Sequence, residues 1–124
     1  RDILGLTVEF TKESPDDSYS YLVFGISREA QIGFAVLGTA DQPRVMALTE
    51  VRGVKLPPVA LPRRAAIVLH VANIDSIVAG CNKHGLHVFD EDRLETHDGR
   101  VGREVGLLDA DDNLVVIYNI PAAA

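Results

Sequence analysis

The side chains best suited to chemistry in this sequence are four histidines and one cysteine: His70, His84, His87, His97 and Cys81. The last three histidines share no spacing that would bring them to one metal ion, and no Cys/His pair has zinc-site spacing. The single cysteine cannot form an internal disulfide and falls on an apolar helix face, which favours an inert buried thiol. His70 ends an apolar strand. It could bind a ligand or act as a general base, although a histidine held by its neighbours is the more common case.

Three aromatic residues and one arginine are the other candidates for ligand contact. Tyr21, Phe34 and Tyr118 could stack on a flat ligand, although aromatic residues in strands are more often part of a core. Arg103 could hold an anionic group with its fork of donors. An ion pair with Glu104 or another acidic neighbour is its more common fate.

Two acidic segments, 90–92 and 109–112, resemble calcium loops only in composition. Neither has the ligand alternation and central glycine that such a loop requires. We interpret both as solvated turns.

Length and composition indicate one globular domain. The chain has 124 residues, of which 47% are hydrophobic and 24% charged, values typical of a folded domain with its own core. The net charge of −6 argues against nucleic acid, which is bound by clustered Lys and Arg. There is no apolar run of the roughly 20 residues that a membrane helix needs, and no signal peptide. We therefore expect a cytoplasmic protein.

The first half of the chain reads as strands followed by a linker. Alternating apolar residues from Leu6 to Phe10 predict one strand, and further strands are predicted at 19–25 and 30–37, giving an antiparallel meander. Gly5 resembles the end of a helix of which little is present. Segment 39–64 contains four prolines, so we expect a linker with at most a short helical turn at 45–51.

The second half reads as β-α-β-β-β. A continuous apolar run predicts a strand at 65–72. Asn73 is a plausible N-cap for a helix with apolar residues at i, i+3, i+4 and i+7, and Gly85 is its stop. The remaining predictions are a strand at 86–89, a charged hairpin or loop at 90–100, and a hairpin at 102–119.

Two short motifs stand at the two ends of this strand order. The first is Arg1-Asp2-Ile3-Leu4-Gly5-Leu6, and the second is Gly102-Arg103-Glu104 with Asp109-Ala110-Asp111-Asp112-Asn113-Leu114. Together they resemble the vicinal oxygen chelate superfamily, which includes glyoxalase I, extradiol dioxygenases and bleomycin resistance proteins. Its helix-end signature usually reads Phe-Tyr-Arg-Asp-x-Leu-Gly-Leu, and its last hairpin commonly reads Asp-Pro-Asp-Gly-Asn. Here Ala110 replaces the usual Pro and Asp112 the usual Gly. Asp tolerates a positive φ, so we expect the turn to be kept.

The resemblance implies an α+β fold of two tandem β-α-β-β-β units whose curved mixed sheets surround a cleft. The first unit would be 1–38, the linker 39–64 and the second unit 65–121, within a single domain. The first strand and most of the first helix of the first unit would be absent from the given chain. The uncovered sheet edge suggests a homodimer.

The resemblance also bears on metal binding. Members that catalyse reactions hold a divalent ion with ligands from the first and last strands of each unit. In the second unit the matching positions are Ala66 and Val116, which carry no ligand atoms. In the last strand of the first unit only Gln31 could serve. We therefore expect neither a metal nor a cofactor.

These observations favour a metal-free binding protein that holds a small apolar or aromatic ligand. The alternative is a lyase, isomerase or dioxygenase of the same superfamily, metal-dependent or using His70 as acid or base. By alternation, residues 66, 68 and 70 lie on one face of their strand, and residues 114, 116 and 118 lie on one face of theirs. The resemblance implies that both of these faces point toward the cleft. The predicted ligand-binding residues are His70, Tyr21, Phe34, Ala66, Val68, Arg103, Val116 and Tyr118.

Overall fold

The computed structural model describes residues 2–123. The elements in chain order are β1 (Thr7–Glu13), α1 (Tyr19–Phe24), β2 (Gln31–Gly38), β3 (Met46–Arg52), β4 (Ile67–His70), α2 (Ile74–Lys83), β5 (Asp92–Glu95), β6 (Val101–Leu108) and β7 (Leu114–Asn119). The chain divides into two compact units that meet in sequence between Pro57 and Pro58. The predicted α+β class is confirmed. No helix in residues 2–123 has the length and apolar character needed to cross a membrane.

The first unit is an antiparallel sheet in the order β1-β2-β3. Its core includes Ile32, Val36 and Leu37 of the central strand β2, because only a central strand has neighbours on both edges. The register of β1 against β2 shifts between Val8 and Phe10. Ahead of β1, Arg1 of the predicted helix end lies outside the described residues. β2 confirms the strand predicted at 30–37.

The strand predicted at 19–25 is wrong, because this segment forms helix α1. Its three aromatic residues and Val23 favour a strand by propensity. Two end signals override that preference. Ser18 is the N-cap and its side chain accepts a hydrogen bond from the Ser20 amide, while Gly25 ends the helix with a φ of 65°. A serine and a left-handed glycine that bracket six residues are enough to define one short helix.

The helical turn considered at 45–51 is also wrong, because this part of the predicted linker forms strand β3. It pairs with β2 without interruption, from Leu37 opposite Met46 to Gln31 opposite Arg52. The prolines of segment 39–64 all lie outside this strand, so they do not interrupt the hydrogen bonds. That the two units form a single domain stays a prediction.

The second unit has the predicted β-α-β-β-β order. Its mixed sheet runs β4-β7-β6-β5, with β4 parallel to β7 and the other pairs antiparallel. Helix α2 begins as predicted, because the Asn73 side chain accepts a hydrogen bond from the Ser76 amide at 3.0 Å. It is followed by Gly85 at a φ of 70°. Its buried residues are Ile74, Ile77 and Cys81, and the helix packs against β7.

The last hairpin is confirmed, including its turn. Asp109 accepts hydrogen bonds from the amides of Asp111 and Asn113 at 2.8 and 2.9 Å, and Asp112 has a φ of 64°. Aspartate therefore takes the left-handed place that glycine commonly fills.

The strand predicted at 86–89 is wrong apart from an isolated bridge between Val88 and Leu107. The charged segment that follows supplies strand β5 instead. Its residues need little burial, because β5 is an edge strand and its charged side chains remain in solvent.

Candidate functional site

The two faces of the second sheet differ in what covers them. Residues that pair directly across strands share a face. Val105 is opposite Ile117 and Leu107 is opposite Val115, and all four are buried. This is the α2 side of the sheet, because α2 contacts β7 and Val105 lines one groove with Val78 and Asn82 of the helix. The residues between them point to the other side. We call this side the open face and define it by Val68, His70, Phe89, Glu104, Gly106, Val116 and Tyr118.

His70 and Tyr118 meet on the open face. They are partners in the parallel register of β4 and β7, and their ring centroids are 5.2 Å apart at a tilt of 52°. The backbone around them is tied down, because the Val71 amide donates to the Tyr118 carbonyl at 2.9 Å and the Asn119 side chain donates to the Val71 carbonyl at 2.6 Å. The sequence correctly predicted that these two residues share a face.

Phe89 joins this face from the segment before β5. Val88 bridges to Leu107 on the α2 side, so its neighbours His87 and Phe89 point the other way. Their rings are 4.5 Å apart, edge to face. A Cβ on Gly106 would lie 3.1 Å from the Phe89 ring, which shows that the glycine makes room for it. Sequence reasoning missed Phe89, although a glycine inside a strand often marks such a close approach.

The open face presents apolar surface to its surroundings. Val68 is 60% exposed and Phe89 is 40% exposed, while Val116 and Tyr118 between them are half-buried. Ala66, just before β4, is exposed as well. Apolar and aromatic surface with a few polar groups nearby is the usual lining of a small-molecule site.

Arg103 lies on the opposite face from His70. It is a register partner of Asn119, on the α2 side of the sheet. Its guanidinium is 2.7 Å from Asp75 of α2 and 2.6 Å from Glu91. The structure thus brings His70, Val68, Val116 and Tyr118 together but not Arg103. Arg103 makes its ion pairs with Asp75 and Glu91, and not with Glu104.

A groove of about 390 Å³ surrounds Arg103 on the α2 side. It is lined by Asp75, Val78, Asn82, Val88, Phe89, Asp90, Glu91, Arg103 and Val105. The carboxylates nearest Arg103 are already its partners, so the arginine is held as part of the structure.

The Arg103 ion pair should make stability depend on pH. Its guanidinium, by hydrogen bonding and charge, holds the pKa of Asp75 below the ordinary value of 3.8. A carboxyl with a lowered folded-state pKa stabilises the fold above its unfolded pKa, and this contribution is lost as the pH falls through the folded value. Between pH 6 and pH 3, urea unfolding should therefore show a smaller loss of stability for Asp75→Asn than for wild type. An Asp41→Asn control in the first unit should behave as wild type, and equal losses in Asp75→Asn and wild type would contradict the assignment.

The two remaining predicted residues belong to the first unit. Tyr21 is only 4% exposed. Its hydroxyl donates to the Ala30 carbonyl at 2.6 Å and the Arg28 guanidinium lies 5.1 Å from its ring centroid. Phe34 is half-buried and meets Phe10 edge to face at 6.1 Å. Tyr21 therefore packs within its own unit, and a ligand role for Phe34 stays a prediction.

The donor atoms of the open face do not fit the metal site that the sequence resemblance implies. Ala66 and Val116 stand at the ligand positions and have aliphatic side chains. Across residues 2–123, no three His, Cys, Asp or Glu side chains gather in a way that could hold an ion. The absence of a metal in the working protein stays a prediction.

Solved structures that share this fold include two proteins named as glyoxalases. A glyoxalase family protein from Bacillus cereus superposes with a TM-score of 0.69 at 16% identity, covering 98% of this chain and 82% of that one. The protein SMU.1112c gives 0.57 at 14% identity, over 94% and 82%. A glyoxalase/dioxygenase from Nostoc punctiforme gives 0.53 at 18% identity, over 98% and 78%. No family model and no curated protein matches the sequence. The chain thus has a glyoxalase-like fold, as its two motifs predicted.

Proposed function

We propose that this protein binds a small apolar or aromatic molecule on the open face of its second unit, without a metal ion. The observation that carries the proposal is the exposure of Val68 and Phe89 on either side of the half-buried Val116 and Tyr118. The glyoxalase and dioxygenase names of the structural neighbours are compatible with a small-molecule site in this fold.

Such binding would gain free energy from apolar surface removed from water and from contacts between rings. Each 100 Å² of apolar surface removed from water contributes about 2.5 kcal/mol. An aromatic ligand in contact with Phe89 or Tyr118 would add about 0.5–1.5 kcal/mol per ring pair. His70 stands beside Tyr118 and could donate or accept a hydrogen bond, which would orient a ligand.

Phe89→Ala tests the site directly. A panel of small aromatic compounds should raise the melting temperature of the wild-type protein by mass action. The variant should bind about tenfold more weakly, because it loses one ring contact and its apolar area. Phe24→Ala, which removes an exposed ring from α1, is the matched control and should leave affinity unchanged. Equal affinity for wild type and Phe89→Ala would overturn this placement of the ligand.

The metal-free part of the proposal has its own test. Zinc, manganese, nickel and iron(II) should leave the melting temperature unchanged. A rise that a chelator reverses would contradict the proposal and favour the lyase, isomerase or dioxygenase alternative.

We also propose that the protein is a homodimer. Strand β3 lies at the edge of the first sheet, and within residues 2–123 it pairs only with β2. The last strand of the second sheet in chain order, β7, is instead paired on both sides. A continuous free edge can pair with another chain. α1 also exposes four large side chains: Tyr19, Leu22, Val23 and Phe24. Light scattering at micromolar concentration should give the dimer mass, and a monomer would contradict the proposal.

A further inference from the structure

Glu104 is a half-buried residue on the open face, and no cation of residues 2–123 pairs with its carboxylate. The neighbouring arginine points to the other side of the sheet, where it pairs with Asp75 and Glu91. Within residues 2–123 the Glu104 side chain takes part in no salt bridge and no hydrogen bond. A carboxylate whose oxygens have no protein partner can accept a charge-assisted hydrogen bond from a ligand.

The two charged residues that the register of β5 and β6 places on the open face are both acidic. Strands β4 to β7 contain two basic side chains that are fully ionised at neutral pH, Arg93 and Arg103, and these are opposite each other on the α2 side. On the open face the register places Asp92 directly opposite Glu104. Like charges in this position repel, so a cation bound between them would remove an unfavourable contact.

The aromatic residues lie where a cation would also use them. Tyr118 is the register partner of Glu104 on the other side, and His70 continues the same row. The next row along the strands holds Gly106, Val116 and Val68, with Phe89 over the glycine. The two rows are separated by two residues, or about 6.7 Å. An aromatic face beside a carboxylate attracts organic cations more strongly than either group alone.

We propose that the ligand of the open face is an organic cation, an apolar or aromatic body that carries a protonated amine or a quaternary ammonium group. The amine lies at Glu104 and Tyr118, and the body covers Val116, Val68 and Phe89. This inference rests on the proposed function, which places a small molecule on the same face, and it adds the charge of that molecule.

Three compounds of equal length separate charge from shape: 3-phenylpropylamine, 3-phenylpropanol and 3-phenylpropanoate. Isothermal titration at low salt should rank the amine above the alcohol, and the alcohol above the carboxylate. Each step should be about three- to tenfold, the range of a partly exposed charge interaction. Added salt should weaken the amine and leave the alcohol unchanged.

Glu104→Gln should remove the preference for the amine while keeping the affinity for the alcohol. Glu95→Gln makes the same change on the α2 side of β5 and should keep the preference. The salt dependence of the wild-type protein gives an independent reading that needs no variant.

The outcomes distinguish the two proposals. If amine and alcohol bind equally and salt has no effect, the cation inference is overturned and the binding function stands. If no compound shifts the NMR signals of His70 and Phe89, the binding function itself is overturned.

Discussion

Ile117→Ala is expected to lower the free energy of unfolding by about 3 kcal/mol, within the range of large-to-small changes in a core. Ile117 is 0% exposed. It lies in β7, between β4 and β6, with Val105 opposite it and α2 packed against its strand. Atoms on several sides would lose contacts, and the surrounding strands cannot collapse into the space without breaking register.

Val116→Ala is the matched control for Ile117→Ala. The two residues are neighbours on one strand, but Val116 is half-buried on the open face. Its truncation removes less buried surface and leaves no enclosed cavity, so the loss should stay below about 1 kcal/mol. Urea unfolding measures both variants. Similar losses would show that the α2 side is not the core of the second unit.

Gly102→Ala is expected to cost about 1–3 kcal/mol, because the new methyl group would overpack a backbone contact. A Cβ at this position would collide with the carbonyl oxygen of Asn119 and lie 3.0 Å from Cγ1 of Ile120. A backbone carbonyl cannot turn aside as a side chain can. The ends of β6 and β7 would have to separate, and Asn119 would be displaced from its hydrogen bond to Val71.

Gly106→Ala on the same strand provides the contrast. Its Cβ would meet the ring of Phe89 at 3.1 Å, and a half-exposed ring can shift. The unfolding free energy should fall less than in Gly102→Ala, as measured by urea unfolding. Ligand affinity should fall more in Gly106→Ala than in Gly102→Ala, because the displaced Phe89 ring belongs to the open face. A larger stability loss in Gly106→Ala would show that Phe89 is fixed in place.

In the second unit, local signals in the sequence were sufficient for α2 and for the last hairpin, but not for the strand predicted at 86–89. Asn73 and Gly85 define the bounds of α2, and the Asp109 turn defines the last hairpin, because each works through hydrogen bonds within a few residues. The first unit was harder. Segment 19–25 has the composition of a strand, and its helix depends on one serine and one glycine. β3 lies among prolines and owes its structure to pairing with β2.

The candidate site was predicted in part for the same reason. Alternation along β4 and along β7 sorts the residues of each strand onto its two faces, and the family resemblance turned the faces of His70 and Tyr118 to the same side. The face of Arg103 depends on the register between β6 and β7, which the sequence does not reveal. Phe89 and Glu104 belong to the open face through long-range pairing, and no local pattern marks them.

The ion pairs of Arg103 have a mechanical consequence for the opposite side of the sheet. Glu91, which Arg103 holds, is only two residues after Phe89. One short piece of chain is thus clamped on the α2 side while it presents a ring on the open face. The clamp restricts the backbone of this segment before any ligand arrives, so less backbone entropy remains to be lost on binding. Under the function we propose, Arg103 would contribute to affinity through rigidity, without touching the ligand itself.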